Sequence, residues 1–451
     1  MKPSKSVFSV DNASSLDHNG VTSREVAWRV LLAVAAGAYA NLALERELGR
    51  NFLLPGDSGL ATELAYGSIR RRLTLDYWLN QLGKIPTSKQ SPPLRWLLHI
   101  GLYQLLFIER VPSAAAINST VEIAKRCGLK SLAPVVNGIL RNAHRIQQSG
   151  LPLIVPDKLS SKLSVTHSLP EWLVRKLLVW RSQSGLEAFT LACNDSPQID
   201  LRINPLRASR EQVLKDFIAK GINAQPLPEL PQGIQVSGRL GNLQTLPGFQ
   251  TGHWCVQDRA AQWISPLLDV QPGHRVLDAC AAPGGKSTHL AEIMGNTGEL
   301  WAIDRSKGRL HRVRDNAQRL GLTIINTLLA DGTTLLYKKP EWHQTFDRIL
   351  IDAPCSGLGT LARHPDARWR INDSNIETLV QTQCQLLARL ILLLKPGGRL
   401  VYATCTVNPE ENEDQVSNFL NSTTAWSCLF QQTRWPSPIY GNGFFAAIFE
   451  S

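Results

Sequence analysis

Two cysteines stand where a thiol could do covalent chemistry. Cys355 lies in DAPCSGLG at 352–359 and Cys405 in VYATCTVN at 401–408, each just after a short apolar run and inside a small-residue loop. A thiolate is a strong nucleophile, and it needs a lowered pKa or a neighbouring base to exist at neutral pH. A lone cysteine is more often a small apolar core residue, and that is the expectation for Cys127, Cys193, Cys384 and Cys428. Cys355 and Cys405 differ from these in ending two similar apolar runs. Their residue types alone do not say which of them attacks. The eight cysteines form no C-x-x-C pair and no Cys/His cluster at zinc spacing, so free thiols in a reducing compartment are expected, with no metal.

A second constellation is DACAAPGGKS at 278–287. A glycine-rich turn between an apolar run and a helical one is where this kind of chain binds a nucleotide-like cofactor. The stretch Cys280, Ala281, Ala282, Pro283, Gly284, Gly285, Lys286 is neither G-x-G-x-x-G nor a P-loop, so a phosphate cradle is disfavoured. Gly284 and Gly285 would let backbone approach a ligand closely. Asp304 follows about 20 residues on, at the place of a ribose-binding carboxylate, and Asp331 and Asp352 end two further runs. Three carboxylates in one crevice suit a cation better than a phosphate. S-adenosylmethionine, with a ribose, an adenine, a positive sulfur and no phosphate, fits; a metal is the rival, but histidine ligands do not cluster with the three.

These residues need elements to hold them. RVLDACA, ELWAIDR, INTLLAD, FDRILIDAP and GRLVYATC are five β-rich apolar runs. Helical segments, among them KSTHLAEIM, KGRLHRVRDNAQRLG and NIETLVQTQCQLLARLILLLKPGG, separate most of them. Alternating strand and helix predicts a doubly wound parallel sheet over 258–451, with ligands outside the carboxyl ends of its strands. Upstream, IDLRINPL, GINAQPLP and GIQVSG surround the helix REQVLKDFIAKG and predict a small α+β module within 159–257. QQSGLPLIVPDK at 147–158 reads as a linker. From 24 to 148 the apolar period is helical throughout, and VLLAVAAGAYANLAL at 30–44 reads as one buried helix too short to span a bilayer. Residues 1–23 read as a polar, flexible tail without a signal peptide.

Net charge is +11, and the helical segment 24–148 holds 16 Lys and Arg against 8 Asp and Glu. A polyanionic partner, nucleic acid before membrane, is favoured. The run Arg70, Arg71, Arg72 is a candidate binding face.

In order, DACAAPGGKSTHLAE, AIDR, LADGT, DRILIDAPCSGLGTLARHPDARW and YATCTVNPEENE resemble the RNA cytosine-C5 methyltransferases. LRINPLR and FQTGHWCVQDRAAQWI resemble that family's pre-catalytic module, and GFFAAIFE its closing strand. VPSAAAINSTVEIAKRCGLKSLAPVVNGILRN resembles the NusB-like helical RNA-binding domain. The order of the parts is that of the RsmB/Sun (Fmu) family of 16S rRNA methyltransferases. The resemblance implies an all-α NusB-like domain, an α+β RNA-binding module and a Rossmann-like S-adenosylmethionine-dependent methyltransferase domain. It implies Cys405 as nucleophile toward C6 of a cytosine, Cys355 as the residue assisting product release, and Asp352 on the N3/N4 edge of the base. It implies 280–286 at the methionine end of the cofactor, with Asp304 at its ribose and Asp331 near its adenine. The partner implied is 16S rRNA, free or in an assembling small subunit, and a cytoplasmic monomer that binds neither membrane nor metal is expected. A tRNA cytosine-C5 methyltransferase, or a non-catalytic NusB-like RNA-binding factor, is the alternative. This sequence has TCT where many relatives have TCS, and GNGFF where a carboxylate often precedes GFF. Position alone puts His364, Arg368 and Trp369 near the base.

Overall fold

The computed structural model describes residues 21–451 apart from 52, 151–153, 239 and 424. The segment read as a tail therefore lies, as far as residue 20, outside the described residues. The chain divides into two compact units, 1–171 and 172–451.

Among its described residues the first unit is helical, its main helices being Val21–Ala35, Ala40–Arg50, Pro55–Arg70, Arg72–Leu82, Pro92–Phe107, Ser113–Arg126 and Ala133–Gln148. The apolar stretch expected to be one helix is two, because Gly37 takes a left-handed φ of 102° and breaks it. The helix Pro92–Phe107 is the hub, with Trp96 to Leu105 all buried. Arg70 is buried, Arg71 lies 4.8 Å over the Phe107 ring and Arg72 5.8 Å over the Trp96 ring. The arginine run thus serves packing and is not one solvated binding face. A further helix, Leu159–His167, belongs with this unit rather than with the α+β module. Its Val165 carbonyl accepts from Thr74 Oγ1 at 2.6 Å, and Ser168 Oγ just beyond it accepts from the Leu73 amide at 3.0 Å.

The second unit opens with helices and an antiparallel sheet of β1 (Ile199–Ile203), β2 (Asn223–Pro226), β3 (Gly233–Ser237) and β4 (Trp254–Val256), in the order β2-β3-β1-β4. Leu201, Ile203, Ile234, Val236 and Trp254 alternate inward and close on Val213 and Phe217 of the helix Arg210–Ala219.

A seven-stranded sheet follows, built from β5 (Arg275–Ala279), β6 (Glu299–Asp304), β7 (Ile325–Leu329), β8 (Phe346–Asp352), β9 (Leu394–Thr404), β10 (Ser427–Arg434) and β11 (Phe444–Glu450). Its order is β10-β11-β9-β8-β5-β6-β7, with β5 to β9 mutually parallel and β11 antiparallel to both β9 and β10. Both faces are covered, which is why its strands read as continuous apolar runs. Leu277, Ile349, Ile351, Leu400 and Tyr402 face one layer of helices. Val276, Leu300, Leu350, Val401 and Ala403 face the other. The helix Lys307–Leu320 shows how the polar segments fit. Leu310, Val313, Ala317 and Leu320 form its buried stripe, Ser306 caps its start and Gly321, at φ 73°, ends it. The order reverses between β5 and β8, and a crevice opens at such a switch point.

Candidate active site

The two cysteines meet because β8 lies beside β9. Asp352 is registered opposite Ala403, so Cys355, three residues past Asp352, arrives next to Cys405, two past Ala403. Their sulfurs are 3.3 Å apart and not bonded. The loops are tied together at the backbone: Ala353 N donates to Ala403 O at 2.9 Å and Gly359 N to Cys405 O at 3.0 Å.

A buried carboxylate completes the tie. Glu411, fully buried, accepts at Oε1 from the Ser356 amide at 2.8 Å and from Gln383 Nε2 at 3.1 Å. Its Oε2 accepts from Ser356 Oγ and, at 3.2 Å, from Asn408 Nδ2. Ser356 Oγ is 2.8 Å from Thr406 Oγ1, so each loop reaches Glu411 through the residue next to its cysteine or nearby. Glu411 lies in the PEENE run just after the TCT motif, a signal to which no role was attached from sequence. The Cys355 thiol is pushed well up, first by its hydrogen bond with Cys405, then by burial, then by the Cys405 and Glu411 charges. At neutral pH Cys355 therefore keeps its proton.

A cation also stands near Cys405. Lys286 Nζ donates to Asp352 Oδ2 at 2.6 Å and lies 5.0 Å from the Phe444 ring centroid. Burial pulls its pKa down, but Asp352 and then Cys405 outweigh burial and raise it. Lys286, placed in the cofactor stretch by its sequence, thus also touches the cysteine site. Asp352 joins the two sites, at the end of β8.

The turn 280–286 sits between β5 and the helix Gly285–Ile293. Cys280 has φ 65° and Gly284 φ 102°. A Cβ on Gly284 would come within 3.0 Å of Val313 Cα, so this glycine serves the turn and the packing of the helix behind it. Gly285 has room for a Cβ, 3.6 Å from its nearest neighbour, and does not need to be glycine for space. Beside the turn lies a cavity of about 70 Å³ where Ile303, Ala330, Pro354 and Leu386 offer apolar walls and Asp304 and Asp331 carboxylates. Asp304 Oδ1 accepts from Ser306 N at 2.8 Å, and Asp331 Oδ1 from Thr333 N at 2.9 Å. Arg305 and Arg309 line the same cavity; Arg309 is 3.3 Å from Asp304 and Arg305 3.7 Å from Asp331. The crevice is less acidic than the aspartates alone imply, because each has a cation beside it. Asp278, at the base of the turn, is fully buried; burial lifts its pKa to about 7 despite a 2.6 Å hydrogen bond from Ser287. Its Oδ1 has no partner among the described residues.

Other expected positions need correction. Arg368 does not frame a base: it is fully buried, donating to Asn194 Oδ1 and Cys193 O at 3.0 Å each and to Leu361 O at 3.3 Å. Cys193 is a core residue, Cys127 and Cys428 are half-buried, and Cys384 is exposed on the helix Asp373–Leu390, where a thiol fits as well as any small side chain. Arg202, from LRINPLR, carries more than its motif suggested. It is buried, grips both oxygens of Glu292 at 2.8 and 2.9 Å, and donates to Gly285 O at 2.7 Å, linking β1 to the 280–286 turn. Among the described residues no His, Cys, Asp or Glu cluster could hold a metal, and no helix is long and apolar enough to cross a membrane.

The profile of the 16S rRNA methyltransferase RsmB/F family matches residues 265–447, that of the NusB family 21–145, and that of the RsmF/B-like ferredoxin-like domain 169–241. A probable ribosomal RNA small subunit methyltransferase B from Synechocystis is 41% identical over 419 residues, 93% of each chain. The ribosomal RNA small subunit methyltransferase B of Proteus mirabilis is 36% identical over 93% of this chain and 98% of its own. Among solved structures, PH0851 is similar over 97% of this chain and 100% of its own, with a TM-score of 0.81 at 25% identity. A methyltransferase homologue from Pyrococcus horikoshii matches 63% of this chain and 96% of its own, with a TM-score of 0.57 at 26% identity. With the helical unit, the small sheet and the seven-stranded sheet each matched in turn, the chain belongs to the RsmB/F family of 16S rRNA methyltransferases.

Proposed function

We propose that this rRNA methyltransferase methylates C5 of a cytosine in small-subunit rRNA, with S-adenosylmethionine as donor and Cys405 as nucleophile. The observation that carries the reading is the contact of two thiols, 3.3 Å apart, beside the Lys286–Asp352 pair.

C5 of cytosine is a poor nucleophile. Addition of the Cys405 thiolate to C6 forms an S–C6 bond and moves the C5=C6 pair onto C5, making it enamine-like. Electrostatics support Cys405 over Cys355 for this step. Glu411, tied into the Cys355 loop, disfavours a negative Cys355. Asp352, with Lys286 on one oxygen, would bond the N3/N4 edge and hold charge on the ring. S-adenosylmethionine, when bound, supplies the electrophilic methyl that C5 takes up. Once Cys405 sulfur is bonded to carbon it is no longer an anion, and the largest cause of the raised Cys355 pKa lapses. Cys355 then gives its proton to solvent and, as thiolate, takes the C5 proton; the C5–H pair reforms C5=C6 and the S–C6 bond breaks, returning the Cys405 thiolate.

The residues present fit the donor. Asp304 and Asp331 would hold ribose and adenine edges, Ile303, Ala330 and Leu386 would cover the adenine faces, and the 280–286 backbone would meet the methionine end. The helical unit and the ferredoxin-like module would hold RNA by phosphate and shape. The test is methylation of unmodified 16S rRNA and of tRNA with labelled S-adenosylmethionine, followed by nucleoside analysis. Label in 5-methylcytidine from 16S rRNA is expected; label in another nucleoside, or only in tRNA, overturns the reading.

A further inference from the structure

β10 is antiparallel to β11, which is antiparallel to β9, so β10 runs in the direction of β9. Arg434 is registered opposite Phe444, and the next residue, Phe445, opposite Thr404. Arg434 therefore ends its strand level with Cys405, two strand spacings away, about 10 Å. There the chain forms a groove of about 310 Å³ between the helix Gln183–Asn194 and the segment 432–440. That volume lies at the lower end of small-ligand sites.

Its walls are aromatic and cationic by turns. The Arg181 guanidinium lies 4.6 Å over the Trp435 ring. Gly185 makes this possible, since a Cβ there would come within 2.9 Å of Arg181 Nε. Phe189 meets the edge of Trp435 at 5.7 Å and holds the indole from behind. Arg434 is flanked by Trp263 at 4.1 Å and Tyr440 at 4.9 Å. The nearest carboxylate to Arg434, that of Glu229, is 4.0 Å away and largely exposed. Planar rings, planar guanidiniums and an excess of positive charge form a stacking platform with an anion-binding rim, the chemistry of single-stranded nucleic acid sites.

We propose that this groove takes an unpaired nucleobase of the substrate strand, a near neighbour of the nucleotide that reaches Cys405, stacked at Trp435 with its phosphate toward Arg181 or Arg434. The proposal deepens the rRNA reading and rests on it only for the source of the strand.

The probe is a fluorescein-labelled decacytidylate, with binding read by anisotropy at fixed salt and methylation of unmodified 16S rRNA read in parallel. Trp435→Ala and Arg181→Ala are each expected to weaken decacytidylate binding about tenfold, the range of one base stack. Both should raise KM for rRNA while leaving kcat at saturating rRNA within about twofold. Trp435→Phe should restore most of the affinity, because a smaller ring still stacks. A melting temperature within a few degrees of wild type shows that the fold is kept. Wild-type decacytidylate affinity in both alanine variants overturns the groove as a base site. So does a loss that Trp435→Phe fails to recover. If the wild type methylates no cytosine C5 yet Trp435→Ala still weakens decacytidylate binding, the groove stands and the C5 reading falls.

Discussion

At the scale of single residues, the two sulfurs can be told apart by what each lacks when removed. On the proposed mechanism Cys405→Ala deletes the group that adds to C6 and is expected to lower methyl transfer to background. Full activity in this variant would transfer the nucleophile role elsewhere. On the same mechanism Cys355→Ala leaves the attacker and removes the base for elimination, so a covalent RNA–protein adduct should accumulate. The measurement is a denaturing gel after incubation with rRNA and S-adenosylmethionine; a gel without a shifted band would sink that role. Glu411→Gln tests the tie between the loops. The amide can still accept from the Ser356 amide, but the charge beside Cys355 is gone. We expect kcat to fall about tenfold, as for a disturbed acid–base group, and the acidic limb of its pH profile to move to lower pH as the Cys355 pKa drops. An unmoved pH profile would reduce Glu411 to a structural tie.

At the scale of elements, the contact of the thiols depends on two backbones crossing closely. Gly359, in the turn after Cys355, and Gly443, just before β11, meet so closely that a Cβ on Gly359 would lie 2.0 Å from Gly443 O. Backbone cannot give way as a side-chain tip can. Gly359→Ala is expected to cost about 1–3 kcal/mol, as overpacking does, in urea unfolding, and to cut activity further by spreading the loops. Gly308→Ala, on the helix Lys307–Leu320 with nothing within 4 Å of the new Cβ, is the control and should be neutral or slightly stabilising. The elements themselves were legible in sequence. Runs such as RVLDA and FDRILID lie on a sheet buried on both faces, so their composition declares them, and the helices between them fix parallel order. Strand adjacency was not legible, because nothing in DAPCSG or ATCTVN says that β8 pairs with β9. β10 was missed: SCLFQQTR alternates weakly at a sheet edge where half its residues face water. Arg368 was misplaced and Glu411 passed over for one reason. Charge in a sequence suggests exposure, and only the fold shows the carbonyls and hydroxyls that let a guanidinium or a carboxylate be buried. Gly37 ended a helix that hydropathy alone would have continued.

At the scale of the whole molecule, the two units carry buried carboxylates that respond to pH in opposite senses. In the helical unit Asp76 bonds His99 Nε2 at 2.9 Å and Arg95 Nε at 2.7 Å. Burial alone would raise its pKa, but the His99 bond and then the Arg95 pair bring it down to about 2. Its folded pKa is depressed, so it contributes stability above pH 4 that is lost as pH falls toward 2, about 2 kcal/mol in all. In the catalytic unit Asp278 is raised to about 7 by burial. Between pH 4 and 7 the folded chain keeps a proton that the unfolded chain has released, so stability declines as pH rises through that window, by about 4 kcal/mol at most. His289, buried and held well below the usual histidine range, pulls the other way below pH 6.5, since the unfolded chain takes up a proton there that the folded chain refuses. The wild-type slope is therefore a sum, and single variants separate its parts. Unfolding by urea from pH 3 to 8 should show Asp278→Asn matching wild type near pH 4 and exceeding it above pH 7, with the gap opening between them. Asp76→Asn should fall below wild type at pH 7 and converge with it toward pH 2. A gap for Asp278→Asn that stays constant from pH 4 to 8 would mean that Asp278 keeps one protonation state in both folded and unfolded chains, and that its burial at the base of the cofactor turn costs the fold nothing that pH can relieve.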